Sequence, residues 1–198
     1  MSHIQEVRLE IIKQFGQAYE LNDPAHQQDH FDTVFLTAVH INDDQNLGFE
    51  LVHMLFAAYF HDLFAWSRIN HHEMSHLWMM GTDHPLIVQH LNPVARKAVA
   101  MACLQHRASY KGDFHSTFTA LINSADRGFP NDVPGMVERS RKYWLANRPH
   151  MSEDERMAGV IGHIKEKFGH NGYARYPELY VKTFGDQLTA MREEVERL

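Results

Sequence analysis

The sequence lacks the features of secreted, membrane-spanning and nucleic-acid-binding proteins. Its 198 residues include one cysteine, so no internal disulfide framework can form and a reducing compartment is expected. No apolar run reaches the roughly 20 residues that a membrane-spanning helix needs, and no charged-then-apolar leader precedes the first predicted helix. The formal net charge of −6 argues against binding to nucleic acid or anionic membranes. We therefore expect a cytoplasmic protein with neither kind of partner.

The alternating pattern of β-strands is also missing, and the residues predict an all-α fold. Apolar residues recur at three- and four-residue spacing, as at Ile4, Val7 and Ile11 in the first predicted helix. Asp23 is predicted to cap a second helix that has Pro24 at its first position and runs to about residue 41.

Further helices and the domain organisation follow from the same periodicity and from capping signals. We predict helices over residues 51–68, 71–80, 93–106, 114–126, 134–144 and 153–168, and from residue 177 onward. A loop is expected around His84 and His90, and a turn at Pro130-Asn131-Asp132. We interpret residues 1–130 as a metal-binding core and residues 131–198 as a C-terminal helical extension packed on the same domain.

Histidine is abundant, with 16 residues, and this raises the expectation of metal chemistry because imidazole is a common metal ligand. The adjacent pair His61-Asp62 lies near the end of residues 51–68, a nearly continuous apolar run that predicts a buried helix. Burying an unpartnered neutral polar group costs about 2–7 kcal/mol, and a charge costs more. A divalent cation that takes both side chains as ligands would remove this cost.

Two other segments offer ligands to the same ion. His26 and His30 are four residues apart, on one face of the predicted second helix, and Val34 and Ala38 turn that face inward. Asp126 ends an apolar helix. We therefore predict that the metal ligands are His30, His61, Asp62 and Asp126. This set fits a divalent transition metal (Mn, Fe, Co, Ni or Zn), with Mg also a candidate, and with water at the open coordination positions.

This constellation resembles the HD-domain superfamily of metal-dependent phosphohydrolases over roughly residues 20–130. The matching residues are His30 with Val34 four positions later, the His61-Asp62 pair, and Asp126 before Arg127. The resemblance implies an HD-domain helical bundle with additional C-terminal helices. It also implies a metal-dependent phosphohydrolase that acts on a small phosphoester or phosphoanhydride, with a nucleotide as the expected substrate.

The chain departs from two well-known branches of that superfamily. Nucleotide monophosphatases and guanosine-tetraphosphate hydrolases carry Glu three residues after the Asp of the pair, and here this position is Ala65. The departure counts against both activities, or the proton-transfer group lies elsewhere. The run His71-His72-Glu73 resembles a stretch in another branch of predicted HD phosphohydrolases. We therefore predict Glu73 as general acid/base or water-orienting residue, His72 as a weaker candidate, and Asp62 as the third catalytic residue.

The resemblance leaves the number of metal ions open. Dinuclear members add histidines between the His-Asp pair and the last Asp, so His84, His90 or His106 could complete a second site. With a single metal, the same region would instead face the phosphate. On that interpretation, the predicted substrate-binding residues are His26, His106, Arg107 and Lys111.

Two alternative functions use the same residues. One is a dinuclear iron oxygenase of the HD type, which the histidine excess favours. The other is a catalytically inactive, metal-containing binding module, suggested by Ala65. In the last third, Lys165, Lys167 and Arg175 are expected on a solvated surface, with contact to a substrate phosphate as the alternative. The aromatic segment 173–180 could stack on a base or pack against a second subunit in a homo-oligomer.

Overall fold

Ten helices and no strand occur in the residues that the computed structural model describes, which are 3–130 and 132–198. The predicted all-α class is thus confirmed. The helices are α1 (His3–Tyr19), α2 (Gln28–Asp44), α3 (Leu51–Phe60), α4 (His71–Gly81), α5 (Pro85–His90), α6 (Pro93–Gln105), α7 (Thr117–Ala125), α8 (Val133–Asn147), α9 (Glu153–Phe168) and α10 (Glu178–Arg197). Asn131, in the predicted turn and at the start of the predicted extension, lies outside the described residues. None of the described helices combines the length and apolarity that crossing a bilayer requires.

Helix α3 lies at the centre of the core, with α1, α2, α6 and α7 packed around it. Every side chain of residues 54–60 is buried, as the apolar run predicts. The helix ends at Phe60 and not at residue 68, and His61 occupies its C-cap position. Residues 61–70 consist mostly of turns. The His61-Asp62 pair therefore follows directly on a helix that is held rigidly on all sides.

The start of α2 differs from the sequence prediction, because Asp23 stabilises a turn instead of capping the helix. Its Oδ1 accepts a hydrogen bond from the Ala25 N–H (2.9 Å) and lies 2.9 Å from Nδ1 of His26. Such local side-chain bonds compete with helix formation. Helix α2 begins only at Gln28, so His26 lies in the turn before it. The rings of His26 and His30 are nevertheless close, with centroids 5.7 Å apart.

The C-terminal helices pack against the region that contains Asp126. Ser152 forms a capping box at the start of α9 with Glu155, and α10 packs on α2 and α7 as well as on α8 and α9. The Tyr180 hydroxyl donates to the Gly128 carbonyl (3.0 Å). Gly128 has a φ of +68°, a conformation that favours glycine and allows the chain to reverse soon after Asp126. Helix α10 thus fastens the turn that follows α7.

Candidate metal centre

The four residues predicted as metal ligands converge at the ends of three helices. His30 lies on α2, His61 and Asp62 follow α3, and Asp126 is the C-cap of α7. Nε2 of His30 is 3.2 Å from Nε2 of His61, and these two nitrogens are 3.3 and 3.5 Å from Oδ1 of Asp126. Oδ2 of Asp62 lies 3.7 Å from His30 and 3.4 Å from His61. We call these four side chains the first group.

A second group forms on the other oxygen of the same carboxylate. Oδ1 of Asp62 is 3.3 Å from Nε2 of His71, at the start of α4, and 3.2 Å from Nε2 of His106, the C-cap of α6. The two imidazole nitrogens are themselves 3.2 Å apart. Asp62 therefore lies between two sets of histidines and presents one oxygen to each.

Hydrogen bonds fix two of the histidines with their Nε2 lone pairs toward Asp62. Nδ1 of His61 lies 2.8 Å from the Ala58 carbonyl, and Nδ1 of His106 lies 2.7 Å from the Cys103 carbonyl. Because a carbonyl only accepts, each Nδ1 must carry the donated proton. Histidines that ligate metals are commonly oriented by such a bond on the other ring nitrogen.

The electrostatics of the cluster call for positive charge. The side chains of His61 and His106 are 0% and 3% exposed, and that of Asp62 is 4% exposed. Burial acts to lower the pKa of His61, but Asp62 and Asp126 outweigh it and raise that pKa to about 10. Burial acts to raise the pKa of Asp62, yet the neighbouring His61 and His106 hold it well below its usual range. One buried and one partly buried carboxylate are thus stabilised by positive charge beside them.

The ligand atoms of both groups are arranged in a way that suits a shared metal ion better than direct bonds among the side chains. Oδ1 of Asp62 is buried without a hydrogen-bond partner. The ligand atoms of His30, His61 and Asp62 all lie within 4.8 Å of one another, as do those of Asp62, His71 and His106. In place of the proton that His61 otherwise carries, a divalent ion can bind the Nε2 lone pairs of the imidazoles and the carboxylate oxygens together. Both groups therefore offer suitable sites for a metal ion.

Arg127 and Asn123 support the ligands of α6 and α7 from behind. Nη1 of Arg127 is 3.4 Å from Oδ2 of Asp126, which leaves Oδ1 facing the histidines. The same guanidinium donates to the Asn123 side-chain oxygen (2.6 Å). The Asn123 amide in turn donates to the carbonyls of Gln105 and Arg107, on either side of His106. One buried network thus positions a ligand from each group.

Asn22 plays the corresponding part on the opposite side. Asn22 is only 4% exposed, and its side-chain amide donates to the carbonyls of Asp62 (2.9 Å) and His26 (3.1 Å). Its side-chain oxygen accepts from the Trp66 N–H (2.9 Å). This single amide ties the turn that contains His26 to the turn that contains Asp62.

The predicted catalytic and substrate-binding residues are distributed unevenly around this centre. Nε2 of His26 lies 4.0 Å from Oδ2 of Asp62, at the edge of the first group. His106 belongs to the second group. This position agrees better with its predicted role as a second-site metal ligand than with a role in substrate binding. Arg107 is half-buried and donates to the Ile69 carbonyl (3.3 Å), while Lys111 is exposed. The structure therefore brings His26 to the cluster and leaves Lys111 at the surface.

The two predicted proton-transfer residues lie on α4 and outside the cluster. Glu73 is exposed in the first turn of the helix. The ring centroids of His72 and His71 are 5.5 Å apart. Burial lowers the pKa of His72, and the charges of Arg107 and His106 lower it further.

His84 and His90, proposed as possible second-site ligands, lie elsewhere. Contrary to the predicted loop, His84 is the N-cap of the short helix α5, which Pro85 opens, and His90 is its last residue. The ring of His84 packs on Phe15, with centroids 4.8 Å apart.

Sequence reasoning missed His71, Asn22 and Asn123. His71 belongs to the run His71-His72-Glu73, in which the sequence resemblance points to His72 and Glu73. Its position at the beginning of α4, directly after the turns that follow Asp62, is the signal that could have identified it. The two asparagines carried no comparable signal, since buried amides are recognisable only through the carbonyls that they bind.

Comparison with known proteins identifies no relative of this chain. No family model matches it, and neither the curated proteins nor the solved structures give a significant match. The resemblance to the HD-domain superfamily therefore consists of residues and their spacing alone. The candidate metal centre is supported by its own geometry.

Proposed function

We propose that the protein is a metal-dependent phosphohydrolase of the HD-domain type, acting on a small phosphoester or phosphoanhydride, with a nucleotide as the expected substrate. The observation that carries the proposal is the position of Asp62. One oxygen of its carboxylate lies within 3.7 Å of His30 and His61, and the other lies within 3.3 Å of His71 and His106. A carboxylate that faces two sets of ligands is suited to bridging two ions.

The proposed centre would hold its ions through four imidazoles and two carboxylates. Such a ligand set favours Mn, Fe, Co, Ni or Zn over Mg, because Mg prefers oxygen ligands. When bound there, divalent ions would lower the pKa of a water molecule and offset the charge of a phosphoryl group.

The chain's own residues would orient these ligands and contact the substrate. The carbonyls of Ala58 and Cys103 fix the rings of His61 and His106, and Arg127 restrains Asp126. His26, which lies 2.9 Å from Asp23 and 4.0 Å from Asp62, would contact a substrate bound beside Asp62.

Proton transfer is proposed for Glu73, with His72 as the second candidate. Glu73→Gln should leave the metal content unchanged and lower turnover by about 10²–10⁴-fold if Glu73 is the acid or base. His72→Ala, tested beside it, separates the two residues. Turnover at the wild-type rate in Glu73→Gln would remove Glu73 from the mechanism.

The test of the proposed function combines metal analysis with an activity panel. The purified protein is loaded separately with Mn²⁺, Co²⁺, Ni²⁺, Zn²⁺ or Mg²⁺, and phosphate release is measured from nucleotides and generic phosphoesters. We expect hydrolysis with at least one transition metal and its loss in Asp62→Ala, which removes the shared carboxylate. Absence of hydrolysis across the panel by metal-loaded protein would overturn the proposal and favour the inactive binding module.

A dinuclear iron oxygenase is the second candidate, favoured by the four imidazoles around Asp62. Iron accepts mixed imidazole and carboxylate ligands. The distinguishing measurements are iron content and oxygen consumption after anaerobic loading with Fe²⁺. Two irons per chain together with substrate-dependent oxygen uptake, and no phosphate release, would favour the oxygenase.

A further inference from the structure

Arg68 is a cationic side chain at the edge of the first group, and direct contacts fix its position. Its Nη1 lies 3.2 Å from Nδ1 and 3.1 Å from Nε2 of His26, and 3.4 Å from Oδ2 of Asp23. A nitrogen almost equidistant from both ring nitrogens lies over the face of the imidazole, because in the ring plane it would collide with the ring carbons. The guanidinium of Arg68 therefore stacks on His26, as arginine commonly does on aromatic rings.

The same histidine connects Arg68 with the ligand atoms around Asp62. Nε2 of His26, which is 3.1 Å from Nη1 of Arg68, lies 4.0 Å from Oδ2 of Asp62. The guanidinium is therefore no farther from this proposed metal ligand than the two distances together. One phosphate group can span such a gap, because metal–oxygen bonds and charge-assisted hydrogen bonds each add roughly 2–3 Å to its reach. Arg68 is thus within reach of a phosphate bound at the first group.

Arg68 also has donors left for a ligand. Its side chain is 52% exposed, and its hydrogen bonds within the described residues all use Nη1. A guanidinium has five N–H donors, so those on Nε and Nη2 remain available. The Asp23 carboxylate is shared, because it also accepts from the Ala25 N–H and lies 2.9 Å from Nδ1 of His26. Asp23 therefore positions Arg68 without occupying its other donors.

A second guanidinium beside the centre, that of Arg127, differs from Arg68 in both respects. Its side chain is only 3% exposed. All three of its nitrogens have partners, which are the Asp126 carboxylate, the Asn123 side-chain oxygen and the Arg175 carbonyl. Of these two guanidinium groups, Arg68 is therefore the one that can offer donors to a substrate.

We propose that Arg68 binds an oxygen of the reacting phosphate, and that it thereby selects a terminal phosphate over an internal phosphodiester. The inference rests on the proposed function, since it assumes that the reacting phosphate binds at the two groups around Asp62. The two groups and Arg68 together offer three places for phosphate oxygens. A terminal phosphate has three oxygens besides the bridging one, whereas a diester has two. Only a terminal phosphate can therefore occupy all three places.

Arg141 provides a matched control. It lies on α8, its side chain is 38% exposed, and it forms ion pairs with Glu138 (3.0 Å) and Glu153 (3.1 Å). Like Arg68 it is a partly exposed, ion-paired guanidinium, but its partners belong to α8 and α9 and to neither group of ligands. Arg68→Gln and Arg141→Gln therefore remove equal charge, and only the first removes it from the proposed phosphate site. Arg68→Lys keeps the charge but loses the planar arrangement of donors.

The experiment measures binding and needs no turnover. Protein loaded with Mn²⁺ and dialysed is titrated calorimetrically with methylphosphonate, which has three oxygens, and with dimethylphosphinate, which has two; neither can be hydrolysed as an ester. We expect Arg68→Gln to weaken methylphosphonate binding by about tenfold or more, as for a lost charge-assisted hydrogen bond. Dimethylphosphinate binding should change little. Arg68→Lys should recover part of the affinity, Arg141→Gln should bind like the wild type, and all variants should retain the same Mn²⁺ content.

Several results would overturn the inference. Unchanged methylphosphonate affinity in Arg68→Gln would remove Arg68 from the site, and an equal loss of dimethylphosphinate affinity would refute the selection of a terminal phosphate. An equal loss in Arg141→Gln would reduce the effect to general charge, and a loss of Mn²⁺ from Arg68→Gln would make Arg68 a support of the metal ligands. Methylphosphonate binding that depends on Arg68, in a protein that hydrolyses no phosphate compound, would refute the hydrolase and support the phosphate site. Hydrolysis together with unchanged affinity in Arg68→Gln would do the reverse.

Discussion

Replacing His71 by alanine should remove one metal ion from the centre and leave the other bound. The first group would retain His30, His61, Asp126 and one oxygen of Asp62. The second group would fall from three ligand atoms to two, because only His106 and the other Asp62 oxygen would remain. The two groups share a single carboxylate, so His71 can be removed without touching any side chain that belongs only to the first.

The expected magnitude follows from the contacts of His71. Its Nε2 lies 3.3 Å from Asp62 and 3.2 Å from His106, so the variant loses a direct ligand. Loss of an indirect partner already lowers metal affinity by about 10–100-fold. We therefore expect at least a 100-fold loss at the second group, or about 2.7 kcal/mol. Dialysis against metal-free buffer should then empty that group.

The assay is elemental analysis of metal per chain after loading and dialysis. The wild type should retain two ions, His71→Ala one, and Asp62→Ala neither. His72→Ala is the matched control, because His72 is the next residue of α4 and belongs to neither group of ligand atoms; it should retain two. A wild-type chain that binds one ion, or a His71→Ala variant that keeps both, would refute the reasoning from two groups.

Three further predictions concern stability. Asn22→Ala should lower the free energy of unfolding by about 1–3 kcal/mol in urea titrations, because the buried backbone groups that it bonds lose their partner; unchanged stability would contradict this role. Tyr59→Phe should cost about 1.5–3 kcal/mol by the same measurement, because the Tyr59 hydroxyl donates to the ionised Asp32 (2.6 Å). Arg8 also donates to Asp32, through Nε (2.7 Å), and a neutral result would mean that this ion pair alone satisfies the carboxylate. Ser152→Ala should cost about 1 kcal/mol through loss of the α9 cap, whereas an equal melting temperature would show that α9 is held by packing alone.

The first group could be predicted because the sequence shows which polar side chains are buried, and buried polar side chains need partners. His61 and Asp62 end an apolar run, and an imidazole and a carboxylate in that position require partners. His30 and Asp126 could be found because each lies at the inner side or end of another apolar helix. Each of the four residues was located by an apolar run or by an apolar helix face, and both are visible in the local sequence.

The second group depends on geometry that periodicity does not contain. His71 reaches Asp62 only because residues 61–70 turn back and α4 packs on α6. The direction of such turns is set by side-chain contacts distant in sequence, here the bonds from Asn22 to the Asp62 carbonyl and the Trp66 N–H. The same limitation explains why α2 was predicted to start at Pro24, since the turn around His26 is stabilised by Asp23.

The position of the candidate metal centre has a simple electrostatic origin in the helices themselves. His61, His106 and Asp126 are the C-cap residues of α3, α6 and α7, respectively, so the carboxyl ends of three helices meet at one place. Unpaired carbonyls and the negative end of the helix dipole lie at each such end. Two of those carbonyls accept the Nδ1–H of His61 and His106, and this orients the rings. The helix ends therefore stabilise a cation at the same place where the carboxylates of Asp62 and Asp126 stabilise one. The histidine side chains add further ligands to this site.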